Sequence, residues 1–172
     1  VRRRAQLAWH RPDLVFSELR GNIQTRLEKL ESGGFDAIVM AAAAIDRLEL
    51  DLSTPVDRLD PSIMLPQVAQ GALAIECRAD DTETIAVLRT IQHADTRRVV
   101  DTERAFLHEL GGDCDLPAGA HATLGDDGIE ITGMLASLDG RVLIREHRVG
   151  TDPDLLGRAV ARFLLDERGG RD

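Results

Sequence analysis

Three strand-like runs, Gly119–Leu124, Ile129–Ala136 and Arg141–Val149, constrain the fold more than any other feature of this chain. Gly125-Asp126-Asp127-Gly128 and Asp139-Gly140 lie between them, and connections this short join antiparallel neighbours. The pattern predicts a three-stranded antiparallel sheet. A long helix from Asp95 to Leu110 precedes it, with Val99, Phe106, Leu107 and Leu110 facing inward. Asp152-Pro153 opens a final helix, a cap residue followed by proline at the first helical position. Its apolar face is Leu156, Val160, Phe163 and Leu164. Two helices beside such a sheet make a small α+β unit.

Upstream, helix and strand patterns alternate. Arg3 to Trp9 reads as a helix that stops before Pro12, because a proline disfavours helix in the residue before it. Leu14–Leu19 reads as a strand. Asn22 caps a helix from Ile23 to Glu31, with Ile23, Leu27 and Leu30 on one face and Gly33-Gly34 at its end. Asp36–Ala41 is a short apolar run of the kind that forms a buried parallel strand, and strand, helix, strand in this order is a βαβ unit. Leu52 to Pro66 is a proline-marked connection through Pro55, Pro61 and Pro66. Ala72–Cys77 is a further strand, followed by a helix from Thr82 to Gln92 carrying Ile85, Leu88 and Ile91. The fold expected is therefore α/β, a partial βαβ domain, which resembles the periplasmic-binding type, then the small α+β domain, with a boundary near residues 92–95.

Bulk properties exclude several classes. A length of 172 residues fits one large domain or two small ones, and 43% hydrophobic with 30% charged residues is ordinary for a soluble globular protein. No apolar run approaches the roughly 20 residues that span a bilayer, and no signal-peptide pattern is present. Cys77 and Cys114 are too few for a disulfide framework and match no zinc spacing, so a reducing, cytoplasmic setting is the default. His10, His93, His108, His121 and His147 are scattered, and no metal is expected. A net charge of −9 weighs against nucleic acid. The chain opens on Val1 rather than Met and reads as a piece of something longer.

Against that acidic background, Arg2, Arg3, Arg4, Arg11, Arg20 and Arg26 crowd the start of the chain. In Leu19-Arg20-Gly21-Asn22-Ile23-Gln24-Thr25-Arg26 a glycine turn leads into a helix, whose free N–H groups favour anions. Arg20 and Arg26 can address the same anion, and guanidinium forks suit carboxylate or phosphate. The alternative is that they are solvated or pair with Glu28 and Glu31. Arg2 and Arg3 join the site if their helix points the same way. Gln70-Gly71 precedes a strand and reads as a turn, a hinge or a ligand contact. Trp9 reads as packing, and Cys77, in an apolar strand, as structural. Cys114 sits in Leu110-Gly111-Gly112-Asp113-Cys114-Asp115-Leu116-Pro117, where the glycines and proline argue for an exposed loop. The other reading is a small buried hydrophobe, as free cysteines usually are. Asp113 and Asp115 disfavour the thiolate, so a highly activated nucleophile does not follow, while a thiol that reacts once with a strong electrophile needs less activation.

Several stretches, in order over essentially the whole chain, resemble the porphobilinogen deaminase (hydroxymethylbilane synthase) family. They are Arg2-Arg3-x-Ala5-Gln6-Leu7, Arg11-Pro12-Asp13-Leu14, Leu19-Arg20-Gly21-Asn22-x-x-Thr25-Arg26-Leu27-x-Lys29-Leu30 and Phe35-Asp36-Ala37-Ile38. Leu65-Pro66, Gln70-Gly71-Ala72-x-x-Ile75-Glu76-Cys77-Arg78, Thr102-Glu103-Arg104-Ala105 and Gly112-x-Cys114-x-x-Pro117 complete the set. The resemblance implies a transferase of tetrapyrrole (haem) biosynthesis that condenses four porphobilinogen units to hydroxymethylbilane and releases ammonia. It implies a dipyrromethane cofactor held by a thioether to Cys114. It also implies that Arg2, Arg3, Arg20, Arg26 and Arg47, with Gln70 and Gly71, bind cofactor and substrate. A small residue is usual before the cysteine, and Asp113 departs from that pattern. The family's catalytic aspartate has no counterpart here, so no catalytic residue is assigned and the chain alone is expected to be inactive. By the resemblance, residues 1–64 belong to a second domain, 65–92 to a returning segment of the first, and 93–172 to a C-terminal domain. The partners implied are porphobilinogen and oligopyrrole intermediates, with a monomer when complete. The competing expectation is a non-catalytic anion-binding module of periplasmic-receptor type.

Overall fold

The computed structural model of the chain describes residues 1–48, 55–112 and 116–170. Strands β1 (Ala118–Gly125), β2 (Gly128–Ala136) and β3 (Leu143–Gly150) form one antiparallel sheet in the order β1-β2-β3. Gly125 pairs with Gly128 across the Asp126-Asp127 turn. Gly128 has φ 129, and a Cβ there would lie 2.6 Å from the Gly150 carbonyl oxygen, so glycine is required. The second turn is closed by Ser137 N–H donating to the Val142 carbonyl, while Asp139 accepts from the Ser137 hydroxyl and from Arg141 N–H.

Strand alternation places apolar side chains on both faces of β2. Ile129, Ile131 and Leu135 face one side, with Ala118, Ala120 and Ala122 of β1 beside them. Onto this face pack α5 (Ala94–Glu109) through Phe106 and α6 (Pro153–Arg162) through Leu156, Val160 and Ala161. Leu164, in a π-helical turn at Phe163–Glu167, completes the cluster. Met134 and Ala136 point the other way, where they meet Ala5 of α1 (Arg2–His10) and Leu65. The C-terminal unit thus has the expected elements, with Asp152 capping α6 by accepting from Leu155 N–H and Pro153 following it.

The upstream part departs from expectation. Helices α1, α2 (Ile23–Glu31) and α4 (Thr82–Thr90) form where the patterns place them, and Asn22 and Asp81 cap the latter two. An additional helix, α3 (Ala42–Arg47), follows from the alanine run, since alanine has the highest helix propensity. The three expected strands Leu14–Leu19, Asp36–Ala41 and Ala72–Cys77 are irregular instead, and no βαβ unit is present among the described residues. The reason is pairing: a buried parallel strand needs neighbours in the ladder and helices over both faces. Here these segments have neither, and Val15, Leu73 and Ile75 are 94%, 81% and 61% exposed. For the same reason Cys77 is exposed rather than a core residue. Trp9, on α1, is half exposed rather than packed in the core.

Candidate anion-binding site

A strap of chain, Ser62–Gly71, runs from the Met134–Ala136 face past the edge strand β1 to α5, and meets the first turn of α1 on its way. Arg2, only 8% exposed, reaches over the strap. Its Nη1 donates to the Leu65 carbonyl, its Nε to Gln67 Oε1 at 3.3 Å and its Nη2 to Gln70 Oε1 at 3.5 Å. One turn on, the fully buried Gln6 brackets Leu65 by donating to its carbonyl (3.0 Å) and accepting from its N–H (2.8 Å). From β3, Arg145 donates to the Ser62 and Ile63 carbonyls and to Gln6 Oε1. From α5, Glu103 accepts the Ala69 N–H at 2.7 Å. Gly119 lets the strap lie close to β1, since a Cβ there would come within 2.8 Å of the Pro66 carbonyl and 3.1 Å of Arg2 Cδ.

Val1, Arg2, Arg3, Gln67 and Gln70 line an open cavity of about 300 Å³. Arg3 donates to the Val39 carbonyl at 3.3 Å, and at the end of the strap Arg47 donates to the Gly71 carbonyl at 2.6 Å. Gly71 sits at φ 90, where glycine is favoured. Arg20 and Arg26 are not among the walls of this cavity. Arg20 pairs with Glu18 at 2.9 Å, rather than with Glu28 or Glu31, and Arg26 donates to the Gly21 carbonyl at the start of α2. Cys114 lies outside the described residues, and α5 and Gly111-Gly112 lead up to it.

The electrostatics of the cavity are one-sided. Among the described residues no carboxylate forms an ion pair with Arg2 or Arg3. Burial, and then the neighbouring Arg3 charge, pull the Arg2 guanidinium down to about 10, so it stays charged at neutral pH. Its partners are neutral oxygens only. Sequence motifs point to Arg2, Arg3 and Gln70, whereas Gln67, Gln6, Glu103 and Arg145 emerge from long-range hydrogen bonds that no local pattern encodes. Glu103 and Gln6 do stand inside recognised motifs, but nothing in their spacing names their partners.

A family model described as "Porphobilinogen deaminase, dipyromethane cofactor binding domain" matches residues 1–86, and one described as "Porphobilinogen deaminase, C-terminal domain" matches residues 98–166. The chain belongs to the porphobilinogen deaminase family. A porphobilinogen deaminase from Brevibacillus brevis is 47% identical over 175 residues, covering 99% of this chain and 55% of that protein. Those from Bacillus cereus and Bacillus pumilus are 46% and 44% identical, covering 97% and 100% of the chain and 54% and 55% of those proteins. The chain spans about half the length of the curated relatives it matches. These matches give no support to a receptor-type module. The cavity's walls all lie in the cofactor-binding match, while Glu103, Gly119 and Arg145 behind it lie in the C-terminal match.

Proposed function

We propose that this chain is part of an enzyme that condenses four porphobilinogen units to hydroxymethylbilane with release of ammonia, in tetrapyrrole biosynthesis. The Arg2–Arg3–Gln67–Gln70 cavity takes a carboxylate of the pyrrole cofactor or substrate. One observation carries this: two adjacent guanidinium groups, one of them buried, face a cavity, and among the described residues no carboxylate is paired to either. A buried charge without a counter-charge is costly, and a bound carboxylate relieves that cost through charge-assisted hydrogen bonds. The donor set fits dipyrromethane, which carries several carboxylates and is chemically a ready-made primer of linked pyrroles.

In this reading Cys114 tethers the cofactor by a thioether, and Arg20, Arg26 and Arg47, with Gly71, serve further carboxylates along the pyrrole chain. The complete enzyme is a cytoplasmic monomer without nucleic-acid partners, in keeping with the acidic net charge of −9. Among the described residues no helix is long and apolar enough to cross a membrane. The chain alone forms no hydroxymethylbilane.

Calorimetric titration with porphobilinogen tests the cavity. Arg3→Ala is expected to weaken binding about tenfold, the effect of losing one hydrogen bond to a charged group. Unchanged affinity would overturn the assignment. In the complete enzyme, intact mass should show a dipyrromethane adduct that is absent from Cys114→Ser, and an adduct surviving that substitution would move the tether elsewhere.

A further inference from the structure

We infer that Glu103 is a positioning residue for the anion cavity, a carboxylate that fixes the strap so that Gln67 and Gln70 stay aimed at Arg2. The inference rests on the reading of that cavity as a carboxylate site. Glu103 is 6% exposed and stands on α5, outside the cavity walls. Its two oxygens serve two different parts of the chain. Oε2 accepts the Ala69 N–H at 2.7 Å, and Oε1 accepts the Ala122 N–H of β1 at 2.8 Å. The carboxylate therefore rivets the strap to the edge of the sheet. His121 Nδ1, 4.0 Å from Oε1, stands beside it.

The strap needs this tie because of what Ala69 does. Ala69 has φ 57, the one residue other than glycine with positive φ among the described residues. A side-chain-bearing residue holds that conformation only where its surroundings impose it. The turns around Ala69 depend on it: Gln70 N–H donates to the Gln67 carbonyl, and Ala72 N–H donates to the Ala69 carbonyl. Gln70 Oε1 in turn accepts from both Gln67 N–H and Arg2 Nη2. Releasing Ala69 thus lets both glutamines swing away from Arg2. A glutamine at 103 cannot replace the carboxylate, since a carboxamide offers one acceptor oxygen and presents an NH2 donor to the second N–H.

The test combines amide hydrogen exchange with porphobilinogen titration. Glu103→Gln is compared with Leu164→Ala, which weakens the main core and leaves the Glu103 bonds to Ala69 and Ala122 in place. Glu103→Gln should speed exchange at Ala69, Gln70 and Ala72 about tenfold beyond any global loss and weaken porphobilinogen binding by about the same factor. Leu164→Ala should do neither. Adding Ala69→Gly to Glu103→Gln should recover most of the affinity, because glycine adopts positive φ without a tie. Should Glu103→Gln not melt cooperatively, Glu103→Asp, which keeps both acceptors on a shorter stem, replaces it and should show the same effects in weaker form. Strap exchange and affinity that merely follow global stability, or no recovery with Ala69→Gly, would overturn the inference. If Arg3→Ala also binds normally, or the unsubstituted chain does not bind porphobilinogen, the carboxylate reading of the cavity fails, and strap exchange alone then decides whether Glu103 holds the strap.

Discussion

Two buried ionisable groups, Arg2 and Glu103, lie on either side of the strap, and each is held by backbone and amide groups rather than by an opposite charge at hydrogen-bond distance. Burial pushes the Glu103 carboxyl up, against the opposing pull of the Ala122 and Ala69 N–H groups. The consequence for stability has a definite sign. An acid whose folded-state pKa is raised is favoured in its protonated form, so its ionisation progressively penalises the fold as pH rises from the unfolded pKa through the folded one. The stability advantage of the unsubstituted chain over Glu103→Gln should therefore be larger near pH 4 than near pH 7, with urea melts at the two pH values as the measurement. The opposite slope would show that the two N–H groups outweigh burial. Residue roles were only partly legible in the sequence. The arginine pair and Gln70-Gly71 stand in recognisable runs, but Gln6 meets Leu65 across 59 residues and Arg2 meets it across 63. Which distant backbone group a buried polar side chain satisfies is set by packing, and a linear pattern carries no record of it.

The best-determined elements are those whose periodicity, caps and partners agree. The sheet closes through two-residue and short turns, and α6 starts at Asp152-Pro153 as its cap signal requires. Helices α5 and α6 cross at Gly157, where a Cβ would lie 2.8 Å from both Ala105 Cβ and Phe106 N. Backbone nitrogen cannot yield as a flexible side chain does, so Gly157→Ala should force the helices apart and destabilise by about 1–3 kcal/mol. Asp152→Ala should lose about 1 kcal/mol through its cap, without moving the α5–α6 contact. Thermal melts of the two variants and of their double check this, since effects at separate sites add while a shared packing defect does not. The upstream strands fail the same agreement. Leu14–Leu19, Asp36–Ala41 and Ala72–Cys77 have strand-like composition, but strand formation is a property of a ladder rather than of a segment. Helices α1, α2 and α4 were legible because a helix satisfies its own backbone, whereas the expected strands needed partners that the local run does not name.

Over the whole molecule, burial is concentrated in the sheet with α1, α5, α6 and the strap, while α2, α3 and α4 contain no buried residue. The chain is therefore expected to be uneven in stability, with its slowest-exchanging amides in the β1–β2–β3 ladder. Unevenness has a second consequence, because Val15, Leu73, Ile75, Val87 and Ile91 are all exposed apolar side chains. Leu73 and Ile75 lie in a segment exposed at every position from Gly71 to Asp80. Exposed apolar runs with unpaired backbone groups favour association between copies. A net charge of −9 opposes that association at low ionic strength, and added salt screens the repulsion. Light scattering of the chain alone should accordingly rise with salt, and the double substitution Leu73→Lys with Ile75→Lys should suppress the rise. The same substitutions should leave the melting temperature within a few degrees of the unsubstituted chain, because neither side chain packs in a core cluster. A marked fall in melting temperature would mean that this segment is packed in solution, and scattering insensitive to the substitutions would place the association on another surface.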